Sequence, residues 1–193
     1  MASLTARITN RMPIRAGGVR KAAAFAVLLC GLLLAACYAS HGMLLDTDEA
    51  AQPLLDGIYV RDGDPADRFQ VTETADGGYR FERFNANGTI GETRRALFTP
   101  MALEDGRPAF AVATQTDDGY AYAVALITNG RVQLATPDCV DPADRNLAVD
   151  HGGDADDDDG MTPACTFRTR AALLSALAAF AGQADFGRPY QRH

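Results

Sequence analysis

The chain is expected to fold as a mainly β domain of the α+β class, an antiparallel β-meander or partial barrel with one C-terminal helix packed on the sheet. Three observations lead there. Between Leu54 and Thr136, short runs of alternating apolar, aromatic and β-branched residues recur, each bounded by a cluster of Asp, Asn and Gly. One cluster, Asn129-Gly130, is the dipeptide selected by a type I′ hairpin turn, in which both central residues take positive φ. After Thr169 the apolar period changes from two to three-and-four, the signature of a helix lying on another layer.

In chain order, the strand candidates are Gly57 to Arg61, Arg68 to Thr74, Tyr79 to Phe84, Arg94 to Phe98, Pro108 to Thr114, Tyr120 to Thr128 and Arg131 to Ala135. The gaps between them carry turn chemistry, from Asp62-Gly63-Asp64-Pro65 through Asp76-Gly77-Gly78 to Asp117-Asp118-Gly119. Alternation is sharpest at the end of this series. Tyr120, Tyr122, Val124 and Leu126 share one face of their strand and Ala121, Ala123 and Ala125 the other, while Phe110 and Val112 alternate with Ala109, Ala111 and Ala113. A face paved with alanine admits another element at close range. The helix from about Arg170 to Ala181, capped by Thr169 and followed by Gly182, supplies a stripe of Leu173, Leu174, Leu177, Phe180 and Ala181 to cover it.

Around this core the reading is looser. Residues 37–53 are expected to be a tether, 54–193 a single β-rich domain, and 137–164 an acidic loop because of Pro137, Pro142, Pro163 and the run Asp154 to Gly160. Cys165 to Phe167 adds a short strand, and Gly187 to His193 reads as a loose tail.

The start of the chain has a different character. Arg11, Arg15, Arg20 and Lys21 precede the apolar run Ala22 to Ala36, which ends Leu34-Ala35-Ala36-Cys37. This ending resembles the bacterial lipobox. The resemblance covers residues 11–37 and implies removal of residues 1–36, a diacylglyceryl thioether on Cys37 and an acylated new N-terminus, so that the partner is the membrane, reached through lipid. Two or more acyl chains anchor stably where one does not. Met12 is an alternative start that leaves the same mature chain. An ordinary secretory signal cut near Cys37 is the competing reading, and a retained span falls short of the roughly 20 apolar residues a bilayer needs. In enteric bacteria the residue after a lipidated Cys influences sorting, and Tyr38 is not the Asp that retains a lipoprotein at the inner membrane. The resemblance therefore implies the outer membrane, facing the periplasm.

Cleavage would change the charge that matters. Residues 1–36 hold five of the eighteen basic residues and none of the twenty-five acids, leaving thirteen arginines against twenty-five acids, a net charge of −12. Such a chain with no basic cluster is not a nucleic-acid binder. Cys30 leaves with the signal and Cys37 is consumed by lipid, so Cys139 and Cys165 remain as a pair in an oxidising compartment. Their separation favours a structural bridge over a redox motif, with free thiols or a metal pair as the alternatives.

Catalytic chemistry has little material, and no catalytic residue or cofactor is assigned. Asp154, Asp156 and Asp158 are the candidate cation ligands, but no EF-hand register places both the glycine and the terminal Glu, and a solvated loop is the stronger reading. His151 stands alone, and Ser175 falls inside the expected helix, so a Ser-His-Asp hydrolase is disfavoured. Glu73, Glu82, Glu92, Glu104 and Asp105 are numerous without a spacing that pairs them, and no Trp is present to stack a sugar. The expectation is a membrane-anchored bacterial envelope lipoprotein, non-catalytic, serving interaction with an envelope protein partner or a structural role. The alternative is a small-molecule or lipid-binding β-barrel module. A closed barrel would enclose a cavity lined by Tyr79, Phe81, Tyr120 and Tyr122, whereas a helix-covered sheet would have a filled core.

Overall fold

The computed structural model describes residues 38–156 and 164–193. The apolar run, Cys37 and Asp158 lie outside the described residues. In order, the strands are β1 (Tyr38–Ser40), β2 (Gly57–Arg61), β3 (Asp64–Glu73), β4 (Tyr79–Phe84), β5 (Ile90–Met101), β6 (Ala109–Thr116), β7 (Gly119–Thr128), β8 (Arg131–Ala135), β9 (Asp154–Asp156), β10 (Ala164–Thr166) and β11 (Tyr190–Arg192). Two helices, α1 (Pro142–Asp150) and α2 (Arg170–Gln183), fall among them.

Each strand from β2 to β8 pairs antiparallel with the next, and β11 pairs antiparallel with both β8 and β2, closing an eight-stranded barrel. The meander is thus fully closed, which removes the edges an open sheet would expose. The C-terminal segment expected to be a loose tail supplies the closing strand. Its pairing partners lie far away in sequence, and Tyr-Gln-Arg carries no strand pattern of its own. On the far side of β7, β1 adds to residues Ala121 and Tyr120 and then pairs in parallel with β10, which carries β9. The chain passes very close there: a Cβ at Gly119 would sit 2.2 Å from the Ser40 carbonyl oxygen.

Hairpin chemistry behaves as the sequence suggests. Asn129 and Gly130 take φ of 54° and 74° between β7 and β8, as a type I′ turn requires. Across β6 and β7, Ala109 faces Leu126, Phe110 faces Ala125, Ala111 faces Val124, Val112 faces Ala123 and Ala113 faces Tyr122. Directly opposed residues share a face, so large meets small on both sides of the sheet. This corrects the expectation of one flat face and one bulky face. The β6 alanines look outward under α2, and the β7 alanines look into the barrel.

The outer layer is a core in its own right. Leu173, Ala176, Leu177, Phe180 and Ala181 of α2 are buried in one cluster with Ala111, Tyr122, Val124 and Leu126. Thr169 caps α2 by accepting from the Ala172 N–H, as expected, but Gly182 lies inside the helix, whose end is at Ala184. Residues 38–53 are not a free tether. Tyr38 is 0% exposed, its ring 5.0 Å from Phe167 and 6.4 Å from Phe180, and its hydroxyl donates to the Asp144 carbonyl at 2.8 Å.

Within the segment expected to be an acidic loop, the described residues 137–156 form a helix and a strand. Asp141 accepts from the Ala143 N–H and Pro142 occupies the first turn, so the proline that reads as a breaker starts α1 instead. Asp154 and Asp156 belong to β9, paired with Thr166 and Ala164. Cys139 and Cys165 stand at disulfide distance, S–S 1.95 Å, tying the exit of the meander to the strand before α2. Replacing both by Ser should lower stability by about 3 to 4 kcal/mol on the loop-entropy relation. Thermal melting with and without reductant checks it: reductant should destabilise only the parent protein.

Candidate functional site

The strand registers determine what lines the barrel. Inward-facing pairs run Tyr59 with Phe69, Val71 with Phe81, Tyr79 with Ala96, and Phe98 with Val112. The rings touch in succession: Tyr190 to Phe69 at 4.9 Å, Phe69 to Phe81 at 5.5 Å, Phe81 to Phe98 at 6.0 Å and Phe98 to Phe110 at 6.3 Å. Eight strands leave an interior just wide enough for side chains or one small ligand, and aromatic rings fill its middle. Of the four expected cavity residues, Tyr79 and Phe81 do face inward. Tyr120 and Tyr122 face outward, because their strand register sends the alanines inside.

The two ends of the barrel differ. At the end where β2 and β4 begin, the Tyr79 hydroxyl accepts from the Leu54 N–H at 2.8 Å and donates to the Leu54 carbonyl at 2.9 Å. Tyr59 makes the same double contact with Leu55, at 3.2 and 3.0 Å. This end is plugged by the segment that enters the barrel. Burial pushes the Tyr79 phenol up to about 12.

At the other end the inward rows turn from apolar to charged. Tyr59 is followed two residues on by Arg61 and Phe81 by Arg83. Phe69 is preceded by Asp67, and Ala96 by Arg94 and Glu92. Opposition of Arg83 to Glu92 and of Arg94 to Phe81 keeps these side chains on the inner face. Asp67, with a side chain only 8% exposed, accepts from Arg61 Nη1 at 3.0 Å, from Arg83 Nη2 at 3.2 Å and from the Tyr190 hydroxyl at 2.8 Å. One carboxylate therefore ties β2, β3, β4 and β11 together at the point of closure. The Arg61 guanidinium lies over the Tyr190 ring, 5.4 Å from its centroid. Burial, then the hydrogen bond to Asp67 and the charge of Asp67, push the Tyr190 phenol up to about 12, so it stays a donor.

Arg94 is engaged differently. Its side chain is 19% exposed, and its Nε pairs with Glu92. Among the described residues, no carboxylate or carbonyl accepts from its two terminal amino groups. The wall opposite these charges is built of small residues: Thr114 faces Ala121, and Val112 faces Ala123, on the inner side of β6 and β7. Leu134, paired with Ala125 and hence inward, is 37% exposed where β8 outruns β11. The result is a mouth with a charged half and a small, apolar half.

The residues singled out from the sequence fall elsewhere. His151, beside the end of α1, lies with Nδ1 2.7 Å from the exposed Ser175 Oγ on α2, a contact the sequence did not suggest. No carboxylate among the described residues hydrogen-bonds this imidazole, so the pair joins two helices at the surface. Asp154 pairs with Arg168 at 3.0 Å, and among the described residues no cluster of His, Cys, Asp and Glu has metal-binding geometry. Glu82 and Asp105 pair with Arg80 and Arg107 rather than with each other. Among the described residues, no helix is long and apolar enough to cross a membrane.

What sequence reasoning missed is the mouth itself. The available signal was alternation that continues past its apolar stretch, as in Tyr59-x-Arg61 or Arg94-x-Ala96-x-Phe98. Fold and site together define a closed antiparallel β-barrel, plugged at one end, charged at the other, and half-covered outside by helices. Comparison with protein-family models, with curated proteins and with solved structures finds no match for this chain.

Asp67→Asn should destabilise the barrel by about 2 kcal/mol, between the limits for exposed and buried ion pairs, because two guanidinium groups lose their shared anion. Chemical denaturation of parent and variant measures this, and Asp105→Asn, at an exposed turn, should change stability by less than about 0.5 kcal/mol.

Proposed function

We propose that this chain is a lipid-anchored bacterial envelope protein, without catalytic machinery, whose barrel binds a small molecule at its charged mouth. One observation carries the choice of small-ligand binding over a purely structural role. The barrel interior does not remain apolar to both ends, but turns over one residue pair into Arg61, Asp67, Arg83, Glu92 and Arg94. Charges inside a barrel cost stability unless they are compensated. A structural barrel is better served by the tyrosine-held plug that seals the opposite end. The pairing of these charges with one another, together with the surface position of His151 and Ser175, supports binding rather than bond-breaking chemistry.

The anchor rests on the Leu34-to-Cys37 ending, and the position of the next residue sets what it would do. Tyr38 already belongs to β1 and is buried, so lipid on Cys37 would hold the barrel within a residue or two of the bilayer, with consecutive Cα atoms only 3.8 Å apart. The expected location is the outer membrane, facing the periplasm. An envelope protein partner remains compatible with this placement.

Two measurements test the two halves of the proposal. Cys37→Ser should abolish incorporation of a palmitate analogue and move the protein from the membrane to the soluble fraction; continued labelling would refute the anchor. Native mass spectrometry of protein released gently from membranes should show a bound small molecule that denaturation removes.

A further inference from the structure

We propose that the mouth of the barrel selects a small organic carboxylate, with Arg94 as the recognition residue and the alanine wall of β7 receiving the ligand's apolar body. This rests on the reading of the barrel as a small-ligand binder and names the class of ligand.

The charges in the mouth are not equivalent. Arg61 and Arg83 each spend a terminal nitrogen on Asp67, and their role is to hold β2, β4 and β11 around β3. Arg94 spends only its Nε, on Glu92, which restrains its guanidinium and leaves both terminal amino groups without a carboxylate or carbonyl partner among the described residues. A guanidinium held in this way presents two parallel N–H donors end-on, the fork that matches the two oxygens of a carboxylate. The local charge agrees: three arginines against Asp67 and Glu92 leave one positive charge in a chain whose remainder is strongly acidic. A monoanion balances that charge, whereas a dianion would be left with uncompensated charge in a mouth only about a third exposed to solvent.

The opposite wall sets the rest of the ligand. Phe81 lies beneath Arg94 as its cross-strand partner and is only partly buried, although its ring belongs to the interior stack. Ala121 and Ala123 are on the inner side of β7 at this end, and their methyl groups take up less room than the Phe110 ring paired with Ala125 further in. A flat or short apolar body fits between an aromatic ring and small side chains, in contact with both. Long acyl chains do not fit this geometry, because the ring stack from Phe69 to Phe110 occupies the barrel below.

The test uses the processed, membrane-anchored protein in nanodiscs of zwitterionic lipid, with four probes titrated by calorimetry: benzoate, benzyl alcohol, benzylamine and inorganic phosphate. Benzoate should bind, with benzyl alcohol, benzylamine and phosphate each at least tenfold weaker. Arg94→Gln should weaken benzoate at least tenfold, and Arg80→Gln, on the solvated outer face, should leave it unchanged. The comparison of the three phenyl probes, which differ in the polar group each carries, needs no variant, so it stands even where Arg94→Gln perturbs folding. Equal affinity for benzoate and benzyl alcohol, undiminished in Arg94→Gln, would overturn carboxylate recognition while leaving the barrel a small-molecule binder. Phosphate binding as tightly as benzoate would overturn the role of the alanine wall. Failure of every probe at millimolar concentration would overturn this inference, and the barrel reading would fall only if native mass spectrometry also finds no bound molecule.

Discussion

The constraint on which this structure depends is that β6 and β7 are buried on both faces at once. One face belongs to the barrel interior with Phe98 and Val112, the other to the layer under α2 with Leu173 and Leu177. A strand pair in that position cannot present bulk on both sides without forcing the layers apart, since interiors are packed as densely as organic crystals. The sequence meets the constraint by opposing large and small residues across the pair on each face, Phe110 to Ala125 within and Ala111 to Val124 without. The alanine content of these strands is thus a spacing device. An Ala111→Leu change would push on α2, and an Ala125→Leu change would push on the ring stack, with overpacking of this kind costing about 1 to 3 kcal/mol.

Much of the barrel was legible because its signals are local. Strands Tyr79–Phe84 and Arg131–Ala135, the Asn129-Gly130 turn and the Thr169 cap all depend on residues a few positions apart. The misses depend on distance. β1 and β11 are three residues each and exist because Ala39 meets Ala121 and Tyr190 meets Arg61 and Val132, pairings no local pattern encodes. α1 was hidden by ambiguous punctuation, because proline ends a helix from within but starts one from its first turn.

The mouth was illegible for a related reason. A charged residue alternating with apolar ones reads as the solvated side of a strand, and Arg80 and Arg95 do occupy that side. Arg83 and Arg94 differ from them only in parity along the strand, and parity acquires meaning once register fixes which rows face inward. Asp67 then converts a like-charged pair into a closure point, joining side chains from strands that are distant in the chain.

The closing strand also bears on the order in which the barrel can be completed. β2 and β8 are complete by Ala135, yet the strand that joins them begins only at Tyr190, with residues 136–189 in between. A polypeptide made from its N-terminus must therefore extend as far as Tyr190–Arg192 before the cylinder can shut. Until then the facing edges of β2 and β8 stand open as two unpaired backbone rims. Closure thus waits on a strand made long after the two it joins, and any copy lacking Tyr190–Arg192 would remain an open sheet prone to joining its neighbours edge to edge.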